Sequence, residues 1–249
     1  MLVPSELTRG PWDRESQHAG PPAAAIARAL ERHPGGEGKQ VGRITFEILR
    51  AVPIAPLMIE VRTVRPGRSV ELLEALLTDS EGKELVRASS WRLVTAEVDL
   101  EGAGEEGPAP AGPEEAEEKP FFPTGEEVGY HTAMEYRFLE GGFLEMGPAK
   151  VWMRMRHPLV AGEEPTPLQR VLVAADSGNG VSAALDWRRY LFINTDLSVH
   201  LHRMPAGEWV CLDAVTRPER NGVGLSDTAL YDERGPIGRA AQTLFVRAR

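Results

Sequence analysis

The chain has 249 residues, of which 42% are hydrophobic and 26% are charged, and its formal net charge is −9. This length allows one large domain or two of about 100–150 residues. The acidic balance argues against nucleic acid binding, which requires a basic face. The single Cys211 excludes an internal disulfide and a cysteine-based metal cluster. We expect a cytoplasmic protein, because no signal-peptide pattern and no apolar run long enough for a membrane span is present.

The first part of the chain predicts one helix followed by strands. Residues 17–33 carry Ala, Ile and Leu at helical spacing, and Pro21-Pro22 suits the first turn. From Arg43 the apolar period changes to two, which is typical of strands. Further extended segments, separated by turn residues, follow at 57–67, 69–79 and 84–96. The pattern predicts a helix with a four-stranded antiparallel meander.

The composition then changes sharply. Residues 97–120 are rich in Glu, Pro, Gly and Ala, with few residues able to join a core. Such a segment predicts a mobile, solvated linker, and an acidic docking tail is the alternative. We therefore divide the chain into an N-terminal unit (1–96), a linker (97–120) and a C-terminal unit (121–249).

The second half repeats the order of the first. Two short strands are predicted at 132–139 and 149–156, and a helix begins near Pro167. Four strands follow at 192–201, 208–216, 222–232 and 237–246. Residues also repeat, since Asp79-Ser-Glu-Gly82 matches Asp232-Glu-Arg-Gly235 at an offset of 153. The repeat predicts an α+β fold in which each unit wraps an antiparallel sheet around a helix, with the two sheets joined along an edge.

The densest set of reactive side chains lies between Asp176 and Arg203. Asp176 ends an apolar helical run, and Asn194 and Thr195 lie near the start of the next strand. His200 and His202 share one strand face, as two metal ligands would, but no further His or Cys has ligand spacing. We therefore expect no metal and no other cofactor.

Several motifs resemble those of a known family. They are HAGPPA (18–23), ADSGNGVS (175–182), NTDLSVHLHR (194–203) and GRAAQTLFV (238–246). Together with the duplicated units, they are similar to the double-hotdog type II acyl-CoA thioesterases. The resemblance implies a double hotdog, and hydrolysis of an acyl-CoA to a free acid and CoA without a covalent enzyme intermediate.

The resemblance also implies site residues. By position, Asp176 accepts the proton of a water that Gln242 and a hydroxyl side chain orient. Asn194 stands where the family usually has Thr or Ser, so either its amide takes that role or a bulge turns Thr195 inward. We expect His18 to touch the substrate, and Gly20 to allow a ligand close to backbone N–H groups at a helix start.

Two other functions remain open. A non-catalytic acyl-CoA or acyl-lipid binding protein is the main alternative, motivated by Asn194. A hydratase is disfavoured, because the chain lacks that class's closely spaced Asp and His. The expected partner is acyl-CoA, with no nucleic acid and no membrane span, and the chain is a monomer or a homo-oligomer formed through sheet edges. Candidates for contact with CoA phosphates are Arg43, Arg65 and Arg203.

Overall fold

The computed structural model describes residues 1–100 and 107–249. Within these residues, eleven strands form one antiparallel sheet that is accompanied by four α-helices. The helices are α1 (Gly20–Arg32), α2 (Tyr130–Ala133), α3 (Pro167–Ala175) and α4 (Gly178–Val181). The strands are β1 (Lys39–Ile48), β2 (Leu57–Arg65), β3 (Val70–Asp79), β4 (Glu84–Val94), β5 (Met134–Glu140), β6 (Ala149–Met155), β7 (Tyr190–Asn194), β8 (Asp196–Leu201), β9 (Val210–Pro218), β10 (Val223–Asp232) and β11 (Gly235–Ala248).

On either side of the junction between β1 and β8, four strands follow the same order, and the second half adds β6 and β5 beyond them. The order is β2-β3-β4-β1-β8-β11-β10-β9-β6-β5, and β7 also pairs with β11. At the β1–β8 junction Thr45 pairs with Ser198, and the two hydroxyl oxygens are 3.1 Å apart. These two residues are separated by 153 positions, which is the offset of the sequence repeat. The junction therefore joins equivalent residues of the two repeated segments.

The predicted meander is wrong at its first strand. β1 pairs with β4, so only β2, β3 and β4 follow one another as a meander. The connection from β1 to β2 does not form a hairpin, because it packs on the N-terminal segment. There Val52 is buried and its carbonyl accepts a hydrogen bond from the N–H of Gln17.

The single strand predicted at 192–201 is two strands. β7 ends at Asn194 and β8 begins at Asp196. At the break, the Thr195 N–H donates to the carbonyl of Thr243, and its carbonyl accepts from the N–H of Ile48. Thr195 thus connects β7, which pairs with β11, to β8, which pairs with β1 across the junction of the two halves.

Helices α1 and α3 pack against each other, and this contact explains why residue 20 is a glycine. Thr166 caps α3 by accepting from the Gln169 N–H, and Pro167 follows it in the first turn. At Gly20 a Cβ atom would lie 2.4 Å from the carbonyl oxygen of Val173, so only glycine allows this approach of α1 to α3. None of the helices in the described part of the chain is long and apolar enough to cross a membrane.

The predicted linker is packed over part of its length. Its residues 101–106 lie outside the described residues. Further on, Trp152 Nε1 donates to the Ala111 carbonyl at 2.7 Å, and Glu117 exchanges two backbone hydrogen bonds with Phe138. From Ala111 onward the segment is therefore anchored to β5 and β6 by hydrogen bonds of its backbone, although most of its residues are exposed. Composition missed this packing because the segment binds β5 and β6 mainly through backbone groups, which every sequence carries.

Candidate active site

A cavity of about 460 Å³ opens beside the C-terminal end of α3. Both halves of the chain contribute to its wall, from the N-terminal segment and the β1–β2 connection to β7 and β11. Aromatic side chains supply much of this wall: Trp12, Phe121, Phe122, Tyr130, Tyr136, Phe143 and Phe192. Several of these rings pack on one another, with centroids 5.4 Å apart for Trp12 and Phe122 and 4.2 Å apart for Phe121 and Phe143. The cavity is suited to an apolar group.

Asp176 is the buried acid in this wall, with 5% of its side chain exposed. Its Oδ1 accepts from Asn194 Nδ2 at 2.8 Å and from Gln242 Nε2 at 3.2 Å. Its Oδ2 lies 3.0 Å from Nδ1 of His18. The structure therefore brings together four residues named from the sequence, which come from the N-terminal segment, the end of α3, β7 and β11.

Gln242 is held in a fixed orientation by the short helix beside it. Its Oε1 accepts from the Asn179 N–H at 3.1 Å, and its Nε2 also lies 3.2 Å from the Asp176 carbonyl. These contacts fix which end of the amide faces the acid, because the oxygen is already occupied by a backbone donor. Asp176 thus receives an N–H from Gln242.

His18 is placed by its backbone and by a stacked ring. Its N–H donates to the Thr8 carbonyl at 2.8 Å, and its imidazole stacks on Tyr130 with centroids 3.7 Å apart. Tyr130 is itself fixed, since its hydroxyl donates to the Val173 carbonyl at 2.6 Å. Burial lowers the pKa of His18, and the negative charge of Asp176 opposes that change only in part. The ring is therefore mostly neutral at neutral pH.

Two of the named residues do not face the cavity. Thr195 is exposed, and its hydroxyl lies 3.4 Å from the Thr243 carbonyl and from Asp196 Oδ1, without a contact to Asp176. No bulge turns it inward, because the strand breaks at this residue. Gly20 is buried against α3, and its N–H donates a hydrogen bond to His18 Nδ1 at 3.1 Å. Its lack of a side chain makes room for α3 and does not open a path for a ligand.

The arginines proposed for CoA phosphates have other partners. Arg203 forms a two-pronged ion pair with the fully buried Asp232, at 2.5 and 2.7 Å, which lowers the pKa of that acid to about 2. Arg43 donates to Ser89 Oγ, and the Arg65 guanidinium lies 5.7 Å from the ring centre of Trp91. Arg50 lines the cavity instead, and its Nη1 donates to the Glu84 carbonyl at 2.6 Å.

Sequence reasoning missed Arg50 and the aromatic wall. Arg50 could have been found from the repeat, because it is the counterpart of Arg203 at an offset of 153. The ring cluster combines five aromatic residues at 121–143 with Trp12 and Phe192, and no sequence motif joins these three segments. The contact of His18 with Asp176 also joins distant segments, so the lack of a short Asp–His motif did not exclude an Asp–His pair.

Comparisons with known proteins agree with this architecture. The sequence-family model of the acyl-CoA thioesterase N-terminal domain matches residues 8–93. The family model of the acyl-CoA thioesterase C-terminal domain matches residues 113–246. A search of curated proteins found no match.

Solved structures show the same fold at low sequence identity. A protein from Novosphingobium aromaticivorans, described provisionally as a thioesterase, is 17% identical with a TM-score of 0.75, over 98% of this chain and 92% of that one. A hot dog fold protein of unknown function from Alicyclobacillus acidocaldarius is 15% identical with a TM-score of 0.75, over 96% and 90%. The acyl-CoA thioesterase II TesB2 from Mycobacterium marinum is 15% identical with a TM-score of 0.67, over 93% and 88%. The chain therefore has a hotdog-type fold.

Proposed function

Because the chain belongs to the acyl-CoA thioesterase family, we propose that it hydrolyses an acyl-CoA thioester to a free carboxylic acid and CoA. The observation that carries the proposal is the buried carboxylate of Asp176 at the wall of an aromatic cavity. A thioester carbonyl is electrophilic, so a positioned water and a base are sufficient for its hydrolysis. No cofactor is required for this reaction.

The proposal gives each residue around Asp176 a role. The carboxylate supplies the negative charge that favours removal of a proton from water. Gln242 and Asn194 hold it by N–H donation, and Asn194 therefore takes the position proposed for a hydroxyl residue. Thr195 has no part in the site that we propose. Arg50 is the cationic side chain of the cavity wall and is our candidate for contact with a CoA phosphate.

We also propose that the fold is a double hotdog, with one unit on each side of the β1–β8 junction. The mirrored strand order and the pairing of Thr45 with Ser198 support this proposal. So does the separate match of two domain models. The packing from Ala111 onward favours a second unit that begins before residue 121, where the sequence boundary was set.

The test is release of free CoA thiol from short, medium and long acyl-CoAs by the native protein and by Asp176→Asn. We expect turnover of at least one chain length, and a loss of about 100-fold or more in Asp176→Asn, which keeps the shape of the side chain but not its charge. Unchanged turnover in that variant would refute the role of Asp176.

The same experiment separates the alternatives. Binding of acyl-CoA without release of thiol at any chain length would favour a non-catalytic binding protein. An arm with a 2-enoyl-CoA, followed by the loss of its enoyl absorbance, tests the hydratase function. Hydration without release of thiol would refute the thioesterase proposal.

A further inference from the structure

Helix α1 begins at the cavity wall, but its first three residues offer no N–H to a bound group. The Gly20 N–H donates to Nδ1 of His18 at 3.1 Å, and Pro21 and Pro22 carry no N–H. The oxygen of a thioester carbonyl gains negative charge as water attacks, and donors that already point to that oxygen lower the barrier. Such a donor must therefore come from another group of the cavity wall.

The hydrogen bond from Gly20 decides where the His18 ring carries its proton. Because Nδ1 accepts this bond, it has no proton in the neutral ring, and the proton is on Nε2. Burial lowers the pKa of His18, so the ring is mostly neutral at neutral pH. Oδ2 of Asp176 lies 3.0 Å from Nδ1 without a hydrogen bond to it, and it accepts none from any other residue that the structure describes. His18 is therefore a donor through Nε2, while Asp176 keeps one oxygen for a water.

Nε2 of His18 is accessible and has no partner within residues 1–100 and 107–249. The ring forms part of the cavity wall, and 15% of the side chain is exposed. Tyr130 covers one face of the ring, and Nε2 is not one of the fully buried polar atoms that lack a hydrogen bond. One ring carbon separates Nε2 from Nδ1, so a group that accepts from Nε2 lies beside the free oxygen of Asp176.

The helix strengthens this donor. The aligned peptide dipoles of an α-helix give its N-terminus a partial positive charge, and α1 has 13 residues. The hydrogen bond from Gly20 draws electron density from the ring through Nδ1, because hydrogen bonds in a chain polarise one another. In other enzymes a neutral imidazole beside a helix N-terminus polarises a carbonyl in this way.

We infer that His18 is a catalytic residue that donates its Nε2–H to the carbonyl oxygen of the thioester, a role that rests on the hydrolysis proposed above. The water oxygen bonds to the carbonyl carbon as its proton passes to Oδ2 of Asp176. The π electrons of the carbonyl move to the oxygen that Nε2–H holds. The C–S bond then breaks as the C=O bond forms again, and the proton on Asp176 passes to the thiolate. The products are the carboxylic acid and CoA, and His18 keeps its proton throughout.

The test uses the different reach of two amide side chains. The amide nitrogen of glutamine reaches the place of the imidazole Nε2, whereas that of asparagine reaches only the place of Nδ1. We expect His18→Asn to lose about 100-fold or more in kcat and His18→Gln to lose about 10-fold or less, since one oxyanion donor contributes about 100-fold to 1,000-fold. Equal losses in the two variants, or a larger loss in His18→Gln, would overturn the inference.

Two controls accompany these variants. His131→Asn changes a half-buried histidine of α2 that is not part of the cavity wall, and it should retain kcat. A thioether analogue of acyl-CoA has no carbonyl oxygen, so it should bind to both His18 variants as tightly as to the native protein. Weaker binding of this analogue to His18→Asn than to His18→Gln would show that the residue shapes the cavity, and would overturn the inference.

Two measurements on the native protein do not depend on turnover, or on the folding of His18→Asn. Nitrogen-15 spectra of histidine-labelled protein, assigned with His18→Gln, should show a proton on Nε2 and none on Nδ1 at neutral pH. The infrared carbonyl stretch of a bound ketone analogue, in which CH₂ replaces the sulfur of acyl-CoA, should move to lower wavenumber than in water.

These measurements separate failure of this inference from failure of the proposed function. A proton on Nδ1 alone, or an unshifted carbonyl stretch, would overturn the role of His18 even if the native protein hydrolyses acyl-CoA. Absence of turnover together with the expected tautomer and stretch would refute the proposed hydrolysis, and it would support His18 as a donor to the carbonyl of a bound acyl-CoA.

Discussion

At the scale of single residues, the site depends on which of two adjacent residues, Asn194 or Thr195, faces Asp176. Asn194 is the last residue of β7 and donates to the carboxylate, whereas Thr195 is exposed in the break that follows. Side chains alternate along a strand, so adjacent residues face opposite sides. The break occurs after Asn194 and so leaves its inward orientation unchanged.

This placement predicts opposite outcomes for two adjacent substitutions. Asn194→Ala removes an N–H donor from a buried carboxylate, an interaction worth about 1.5–3 kcal/mol. We expect kcat for acyl-CoA hydrolysis to fall by about 10-fold or more, since 1.4 kcal/mol corresponds to a factor of ten. Thr195→Ala is the matched control and should leave kcat unchanged. The reverse order of effects would mean that Thr195 turns inward when substrate binds.

Part of this site could be predicted from the sequence, and part could not. Asp176, Asn194 and Gln242 were named because their local motifs resemble those of a family, and they do converge. The partnership of His18 with Asp176 was not foreseen, because it depends on how the N-terminal segment crosses to α3. No local pattern encodes a contact between residues 158 positions apart.

At the scale of elements, the short helix α4 supports the site from behind. Gly178 begins this helix, and a Cβ there would lie 2.5 Å from Thr228 Oγ1 and 3.4 Å from Gln242 Oε1. Around the Cβ of Gly180, two residues further on, there is no heavy atom within 4 Å. Packing therefore requires a glycine at position 178 but not at position 180.

The two glycines give a matched pair of alanine substitutions. Gly178→Ala forces the buried side chain of Thr228 to move, and overpacking of this kind costs about 1–3 kcal/mol. Gly180→Ala should change stability by less than about 1 kcal/mol, because alanine fits the open space and favours the helix. Urea unfolding of both variants measures the difference. Equal stabilities would show that α4 is not packed as described.

The positions of helices and strands could be predicted from local sequence patterns, whereas the pairing of the strands could not. The Thr166-Pro167 start of α3 and the alternation after Arg43 gave elements close to those observed. The pairing of β1 with β4 was missed, because a meander assumes that consecutive strands are neighbours. Here the buried contacts of Val52 with the N-terminal segment favour a longer connection.

At the scale of the whole molecule, neither half contains the complete site. His18 lies in the first half, and its partner Asp176 lies in the second. The halves are joined through five residue pairs between β1 and β8, from Arg43–His200 to Glu47–Asp196. Separation of the halves would therefore divide the site and also expose two strand edges.

This division predicts the behaviour of fragments. Residues 1–100 and 107–249 expressed separately should be inactive and should self-associate through the exposed edges of β1 and β8. When they are expressed together, they should form a one-to-one complex with acyl-CoA thioesterase activity. Light scattering after size-exclusion chromatography gives the stoichiometry, and thiol release gives the activity. An active second fragment on its own would contradict the shared site.

The break between β7 and β8 has a consequence for how this protein can evolve. Within five consecutive residues, Asn194 contacts the acid of the site, the Thr195 carbonyl bonds to β1, and Ser198 meets Thr45 at the centre of the sheet. An insertion or deletion in this stretch would displace both Asn194 in the site and the β1–β8 pairing that joins the two halves. Selection on substrate preference therefore has more freedom in the aromatic wall, whose residues do not take part in the β1–β8 pairing.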